Sequence, residues 1–118
     1  MKINEFINNV YNSNVLDLLD ALPSNSIDCI FGDPDYNVGI KYNNKSYSTS
    51  FDEYIKWYIL LAEKALRVMR NDGNMFLINY PKQNAHLWVK YLDQKCYDVQ
   101  EYVWVYNTNV GHSRYRFT

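Results

Sequence analysis

At 118 residues the chain has room for one domain and no more. Its 47% hydrophobic and 17% aromatic content excludes a disordered protein, and a formal net charge of -1 excludes an overall basic field for gripping nucleic acid, so any such contact must be local. The sequence shows no signal peptide and no apolar run long enough to span a bilayer, which points to a cytoplasmic protein without membrane contact.

In chain order, Asn14 is placed to cap a short helix with Val15, Leu18, Leu19 and Leu22 on one side, and Pro23 closes it. Ser24-Asn25-Ser26 reads as a turn. Residues 27–32 form a short, mostly apolar run between turn residues, the pattern of a strand buried on both faces. Asp33-Pro34 stops it, because proline lacks a backbone donor. Residues 37–49 are polar and read as a loop. Ser50 and Glu53 have capping-box spacing. The helix they open carries Tyr54, Trp57, Tyr58, Leu61, Ala65, Val68 and Met69 at three- and four-residue steps, which marks these aromatics as core. Lys56, Glu63, Lys64, Arg67 and Arg70 fall mostly on its other face.

Asn71-Asp72-Gly73 is the expected end of that helix, and residues 75–78 make a second buried strand. Pro81 suits the first position of another helix, whose apolar face is Ala85, Trp88, Tyr91 and Leu92. Residues 97–106, with Val99, Val103 and Val105, read as a third strand. Strand, helix, strand, helix, strand argues for an α/β domain with a largely parallel sheet, about half of a doubly wound one. No repeat or linker divides residues 1–118, so they read as a single partial domain. Cys29 and Cys96 belong to no CxxC or His/Cys cluster and are expected to be reduced, buried thiols.

In doubly wound sheets ligand sites gather at the carboxyl ends of strands. Asp33-Pro34-Asp35-Tyr36-Asn37 occupies that place. An isolated Asp-Pro pair is ordinarily a turn starter. Asp33 and Asp35 also form an Asp-x-Asp pair of the kind some phosphatases use for a metal. Those enzymes want Thr or Val two residues beyond the second Asp, where this chain has Asn37, and Pro34 stiffens the segment between the carboxylates. No metal is expected. His86 and His112 lack partners at ligand spacing and read as solvated or structural.

The run Ile30-Phe31-Gly32-Asp33-Pro34-Asp35-Tyr36-Asn37-Val38-Gly39 resembles the signature of the amino DNA methyltransferases, an apolar strand followed by Asp-Pro-Pro-Tyr. It has their circular order in which the catalytic motif precedes the cofactor motif. Leu16-Asp17-Leu18-Leu19 and Leu22-Pro23-Ser24-Asn25-Ser26-Ile27-Asp28 resemble the family's lead-in. Leu66-Arg67-Val68-Met69-Arg70-Asn71-Asp72-Gly73 resembles its next helix and turn. Trp104-Val105-Tyr106-Asn107 and Arg114-Tyr115-Arg116-Phe117-Thr118 resemble the strand and loop beyond. The resemblance runs from about Asn14 onward. It departs at Asp35, where the family has its second proline; this frees the backbone and sets a second carboxylate beside Asp33, which disfavours approach of phosphate.

The resemblance implies a partial Rossmann-like fold dependent on S-adenosylmethionine, and methyl transfer to the exocyclic amino group of adenine in double-stranded DNA. Asp33, Pro34 and Tyr36 are the implied catalytic residues, with Asp33 also beside the cofactor. Asp35, Asn37, Arg114 and Arg116 are implied DNA contacts. The residue types suit the chemistry. A carboxylate and the Pro34 carbonyl can each accept one amino hydrogen, so the nitrogen pyramidalises and aims its lone pair at a methyl group. Tyr36 is suited to stack on a base flipped out of the duplex. Asp at the first motif position favours adenine, since cytosine-specific relatives often carry Ser there. None of the four glycines forms a GxG pair. The family's Phe/Gly-rich cofactor turn and its target-recognition region are therefore expected beyond Thr118, on a complementary segment or subunit. A non-catalytic truncated or split product is the competing reading.

Overall fold

The computed structural model describes residues 2–37, 41–42, 45–46 and 49–105. Its centre is one β-α-β unit: strand β1 (Ile27–Gly32), helix α2 (Phe51–Val68) and strand β4 (Met69–Leu77), with β1 and β4 paired in parallel. Helix α1 (Val15–Ala21) precedes the unit. A two-residue antiparallel ladder, β2 (Lys41–Tyr42) with β3 (Lys45–Ser46), interrupts the segment expected to be loop throughout. After β4 come α3 (Pro81–Leu87), a π-helical turn (Trp88–Leu92) and a short α4 (Asp93–Lys95). The fold is α/β and partial Rossmann-like, as the sequence implies.

Local chemistry sets the boundaries. The Asn14 side chain accepts from the Leu16 amide at 2.9 Å, and Ser50 accepts from Glu53 at 3.2 Å, so both helices begin at the expected caps. Helix α1 ends at Leu22, one residue before Pro23. The turn after it is stitched to the end of α2: Asn25, at a φ of 55°, donates to the Arg67 carbonyl and Ser26 donates to that of Val68. Arg67 completes the junction. Its guanidinium donates to the carbonyls of Leu19 and Leu22, both at 2.7 Å, and to the Ser24 hydroxyl at 2.8 Å, closing the carboxyl end of α1.

Helix α2 carries the core. Tyr54, Ile55, Tyr58, Leu61, Ala62, Ala65 and Val68 are buried along it, joined by Leu19 of α1 and Leu87 of α3. Strand alternation then decides which sheet residues reach that core. Ile30, Met75 and Leu77 pack against it, while Phe31 and its register partner Phe76 point away and stay exposed. The sheet is therefore buried on one face only among the described residues, not on both as its apolar run suggests. Cys29 shares the open side and is exposed; Cys96 is half-buried, and burial raises its thiol pKa. The α1 stripe also differs in detail, with Leu16 against the core and Val15 exposed.

Two further expectations fail. Residues 97–105 form no strand; Tyr97, Tyr102, Val103 and Val105 are exposed. A strand exists only by pairing, and among the described residues no free edge meets this segment, whatever its β-branched content. In α3 the fully buried positions are Gln83 and Leu87 and Ala85 is exposed, whereas Tyr91 and Leu92 of the expected face do pack against the core.

Met69 pairs with Ile27 but Asn74 pairs with Cys29, so β4 carries three extra residues in a bulge at its start, where a simple turn is expected. Gly73 makes that bulge possible. A Cβ there would meet the carbonyl oxygens of Asp28 at 2.8 Å and Arg70 at 3.0 Å, backbone atoms that cannot swing aside. Gly73→Ala is expected to destabilise the fold by about 1–3 kcal/mol, the usual range for forced overpacking. Thermal unfolding would show this as a lowered Tm, and an unchanged Tm would mean the bulge yields freely.

Candidate active site

The last rung of the sheet runs from the Ile78 amide to the Gly32 carbonyl at 2.9 Å. Asp33 and Pro34 come directly after it, so the motif leaves the sheet at the carboxyl end of β1, level with Ile78, Asn79 and Tyr80 leaving β4. Asp33 is exposed, whereas Pro34, Asp35, Tyr36 and Asn37 are half-buried. The Tyr36 hydroxyl donates to Asp33 Oδ1. Its ring lies against Tyr80, with centroids 5.4 Å apart and planes tilted by 37°.

Asp35 turns its carboxylate inward along the chain, where Oδ2 accepts from the Asn37 amide at 3.2 Å. Asn37 adopts a φ of 61°, a left-handed conformation that Asn tolerates better than most residues. Its side chain clasps Thr49, accepting from that residue's amide at 2.6 Å and donating to its carbonyl at 2.9 Å. Residues 37 and 49 are thus the two posts of the intervening loop. This bracing contact comes in addition to the contact to DNA that the resemblance implies for Asn37.

Two side chains from the helices hold the motif backbone. Tyr54 of α2 donates to the Asp35 carbonyl, and Gln83 of α3 donates to the Tyr36 carbonyl at 2.9 Å. Asn79 donates to the Tyr54 hydroxyl oxygen at 2.7 Å and accepts from the Tyr80 amide at 2.8 Å. Burial raises the Tyr54 phenol pKa above its ordinary range; the Asn79 bond opposes this and the Asp35 charge adds to it. The phenol therefore stays protonated, and a donor, at neutral pH. Among the described residues no hydrogen bond reaches the Pro34 carbonyl. Asp33 and the half-buried Pro34 together thus offer an exposed carboxylate and a carbonyl that no described residue bonds, two acceptors side by side in sequence.

The sequence brings Asp33, Pro34, Asp35, Tyr36 and Asn37 to one place, as expected. Arg114, Arg116 and His112 lie outside the described residues. His86 packs edge-on against Phe51 at 4.8 Å. Among the described residues no group of three His, Cys, Asp or Glu side chains could hold a metal ion. An open groove lined by Asn25, Arg70, Asn71 and Asp72 lies at the strands' amino ends, away from the motif. Asn79, Tyr80 and Gln83 are the site residues that sequence reasoning missed. For Asn79 and Tyr80 the signal was one of position, since the carboxyl-end rule that singles out Asp33 applies equally to the residues just past β4; for Gln83, inside α3, there was none.

The profile of the N6/N4 family described as DNA methylase matches residues 27–118. The type II methyltransferase M.BamHI of Bacillus amyloliquefaciens is 33% identical over 87 residues, covering 73% of this chain and 20% of that protein. The type II methyltransferase M.MjaVI of Methanocaldococcus jannaschii is 41% identical over 56 residues, 48% of this chain and 29% of its own length. The DNA adenine methyltransferase YhdJ of Escherichia coli K12 is 25% identical over 95 residues, 77% of this chain and 31% of its own. The chain thus spans about a fifth to a third of these relatives' length. The family match begins at the first residue of β1 and takes in the motif with every element that holds it, and the chain belongs to the N6/N4 DNA methylase family.

Proposed function

We propose that residues 1–118 form one partial catalytic domain that carries the base-side chemistry of a site-specific DNA methyltransferase acting on the exocyclic amino group of adenine. The observation that carries this reading is the pairing of an exposed Asp33 carboxylate with an open Pro34 carbonyl where β1 ends. Each accepts one amino hydrogen of the target base. The nitrogen, otherwise flattened by delocalisation into the ring, then turns its lone pair outward. Positive charge grows on that nitrogen during attack, so the Asp33 anion stabilises the transition state more than the ground state.

S-adenosylmethionine, when bound, supplies a methyl group already activated by a sulfonium. The donor set suits that cation, because the exposed Asp33 carboxylate is the anion at the strand end and would face it. Tyr36 stacks on the flipped base, taking it in place of the Tyr80 ring it now touches. Arg114 and Arg116 hold backbone phosphates of the duplex. A complementary segment or subunit supplies the remaining cofactor and target-recognition surfaces. The relatives named as type II methyltransferases support a role on the modification side of restriction and modification. No helix among the described residues is long and apolar enough to cross a membrane.

Adenine is favoured over cytosine by Asp33 at the motif's first position and by the name of YhdJ. The test is the product: DNA modified by the enzyme that contains this chain is digested to nucleosides and analysed by mass spectrometry. N6-methyladenine is expected. Methylated cytosine in its place would overturn the adenine assignment while leaving the acceptor pair intact as a reading.

A further inference from the structure

Three consecutive carbonyls lie beyond the end of β1, and they differ in how they are held. Those of Asp35 and Tyr36 are tied by Tyr54 and Gln83, while that of Pro34 is open among the described residues. We propose that Tyr54 and Gln83 are positioning residues, which fix the direction of the Pro34 carbonyl toward the target amino group by clamping the two peptides after it. This rests on the reading of Asp33 and Pro34 as the acceptor pair.

The mechanics are those of a short chain bracketed at both ends. The Pro34 ring locks its own φ. Tyr54 fixes the 35–36 peptide from α2, and Gln83 fixes the 36–37 peptide from α3. Only the torsions on either side of the 34–35 peptide remain, and both of its flanks are pinned. Since the motif has left the sheet, no ladder bond supplies this restraint.

Both clamps are built to give one answer. Asn79 donates to the Tyr54 oxygen, so the Tyr54 hydrogen is left for the Asp35 carbonyl. Gln83 is 7% exposed, a rare burial for an amide, which is costly unless the amide is bonded. Its amide spends a hydrogen on the Tyr36 carbonyl rather than on the helix that carries it. Leu61, buried in the apolar core two turns beyond Tyr54 on the same helix, makes no such bond and is the internal control for mere core packing.

The test uses the methyltransferase that contains this chain, with tritiated S-adenosylmethionine and unmethylated bacterial genomic DNA. Tyr54→Phe and Gln83→Met are each expected to lower kcat about tenfold, ~1.4 kcal/mol of barrier, with KM for DNA moving less than about twofold. Leu61→Ala is expected to lower Tm at least as far as Tyr54→Phe does, yet, assayed below its melt, to keep kcat within about twofold of the parent. Parental kcat in both Tyr54→Phe and Gln83→Met would overturn the proposal, and so would a Leu61→Ala loss equal to that of Tyr54→Phe. Asp33→Ala assayed alongside separates the two levels. An active Asp33→Ala removes the site reading itself, whereas an inactive one beside fully active clamp variants removes the positioning role alone.

Discussion

Asp33→Ala is expected to lower kcat roughly a hundred- to a thousandfold, about 2.7–4 kcal/mol of barrier, the range for losing one preorganised transition-state partner. The same change should leave Tm nearly untouched. Asp33 is exposed, and the hydrogen bond it accepts from the Tyr36 hydroxyl is made at the surface, where a solvent molecule can replace it. Methyl incorporation under single-turnover conditions, together with a thermal melt, measures both sides of the claim. Retained incorporation at parental Tm would remove Asp33 from the chemistry. Asp33→Asn refines the result, since it keeps an acceptor but loses the charge. A smaller loss than in Asp33→Ala is expected, because only the anion's share of the stabilisation disappears.

The largest expected effect on stability belongs to a residue with no part in the chemistry. Leu87 is 1% exposed where α3 meets the core built on α2, and Leu87→Ala should cost about 2–5 kcal/mol through lost transfer energy and the cavity left behind. Val89, two residues on, is 73% exposed, and Val89→Ala should stay within about 0.5 kcal/mol. Urea unfolding followed by tryptophan fluorescence compares the pair. Equal midpoints for the two variants would show that α3 does not pack as described.

Leu87 also shows where sequence patterns mislead. The stripe Ala85, Trp88, Tyr91 and Leu92 is a sensible apolar face for a regular helix. The structure packs Tyr91 and Leu92 against the core as that stripe implies, but it exposes Ala85, buries Gln83 and Leu87 four residues apart, and widens into a π turn from Trp88 to Leu92. A π turn holds more residues per turn and so shifts the phase of everything beyond it. A polar residue at one buried position and a phase shift after the next together hide the true face. By contrast, α2 is legible because its stripe is long, regular and capped by Ser50, and the structure buries nearly the positions its period implies.

The candidate site divides in the same way. Asp33, Pro34 and Tyr36 can be read from the sequence because a strand ending in Asp-Pro is a local pattern. Position alone marks Asn79, just past β4, but the supporting bonds cannot be read, because Tyr54, Asn79 and Gln83 lie 19 to 47 residues from the carbonyls and hydroxyl they bond in the network. Tyr54 is both things at once, a core aromatic by period and a motif donor by its hydroxyl, and the period reveals only the first. Arg67 is a parallel case. It lies on the polar face of α2, as its charge suggests, yet serves to close α1. The expected strand fails over its described residues, 97–105, for the opposite reason, since composition alone creates no partner edge.

The bulge between Ile27 and Cys29 gives the sheet two ends with different tolerances. Within it, β4 spends the four residues 70–73 opposite the single residue Asp28; beyond it, Cys29 to Gly32 pair with Asn74 to Leu77 one for one. A residue gained or lost at Asn71 or Asp72, both exposed, would be absorbed there as a larger or smaller loop. The same change between Asn74 and Leu77 would slide the strand by one position, send Phe76 inward and Leu77 outward, and carry Asn79 away from Tyr54. The irregular start of β4 thus works as a slack joint, insulating the chemistry at one end of the sheet from length changes at the other.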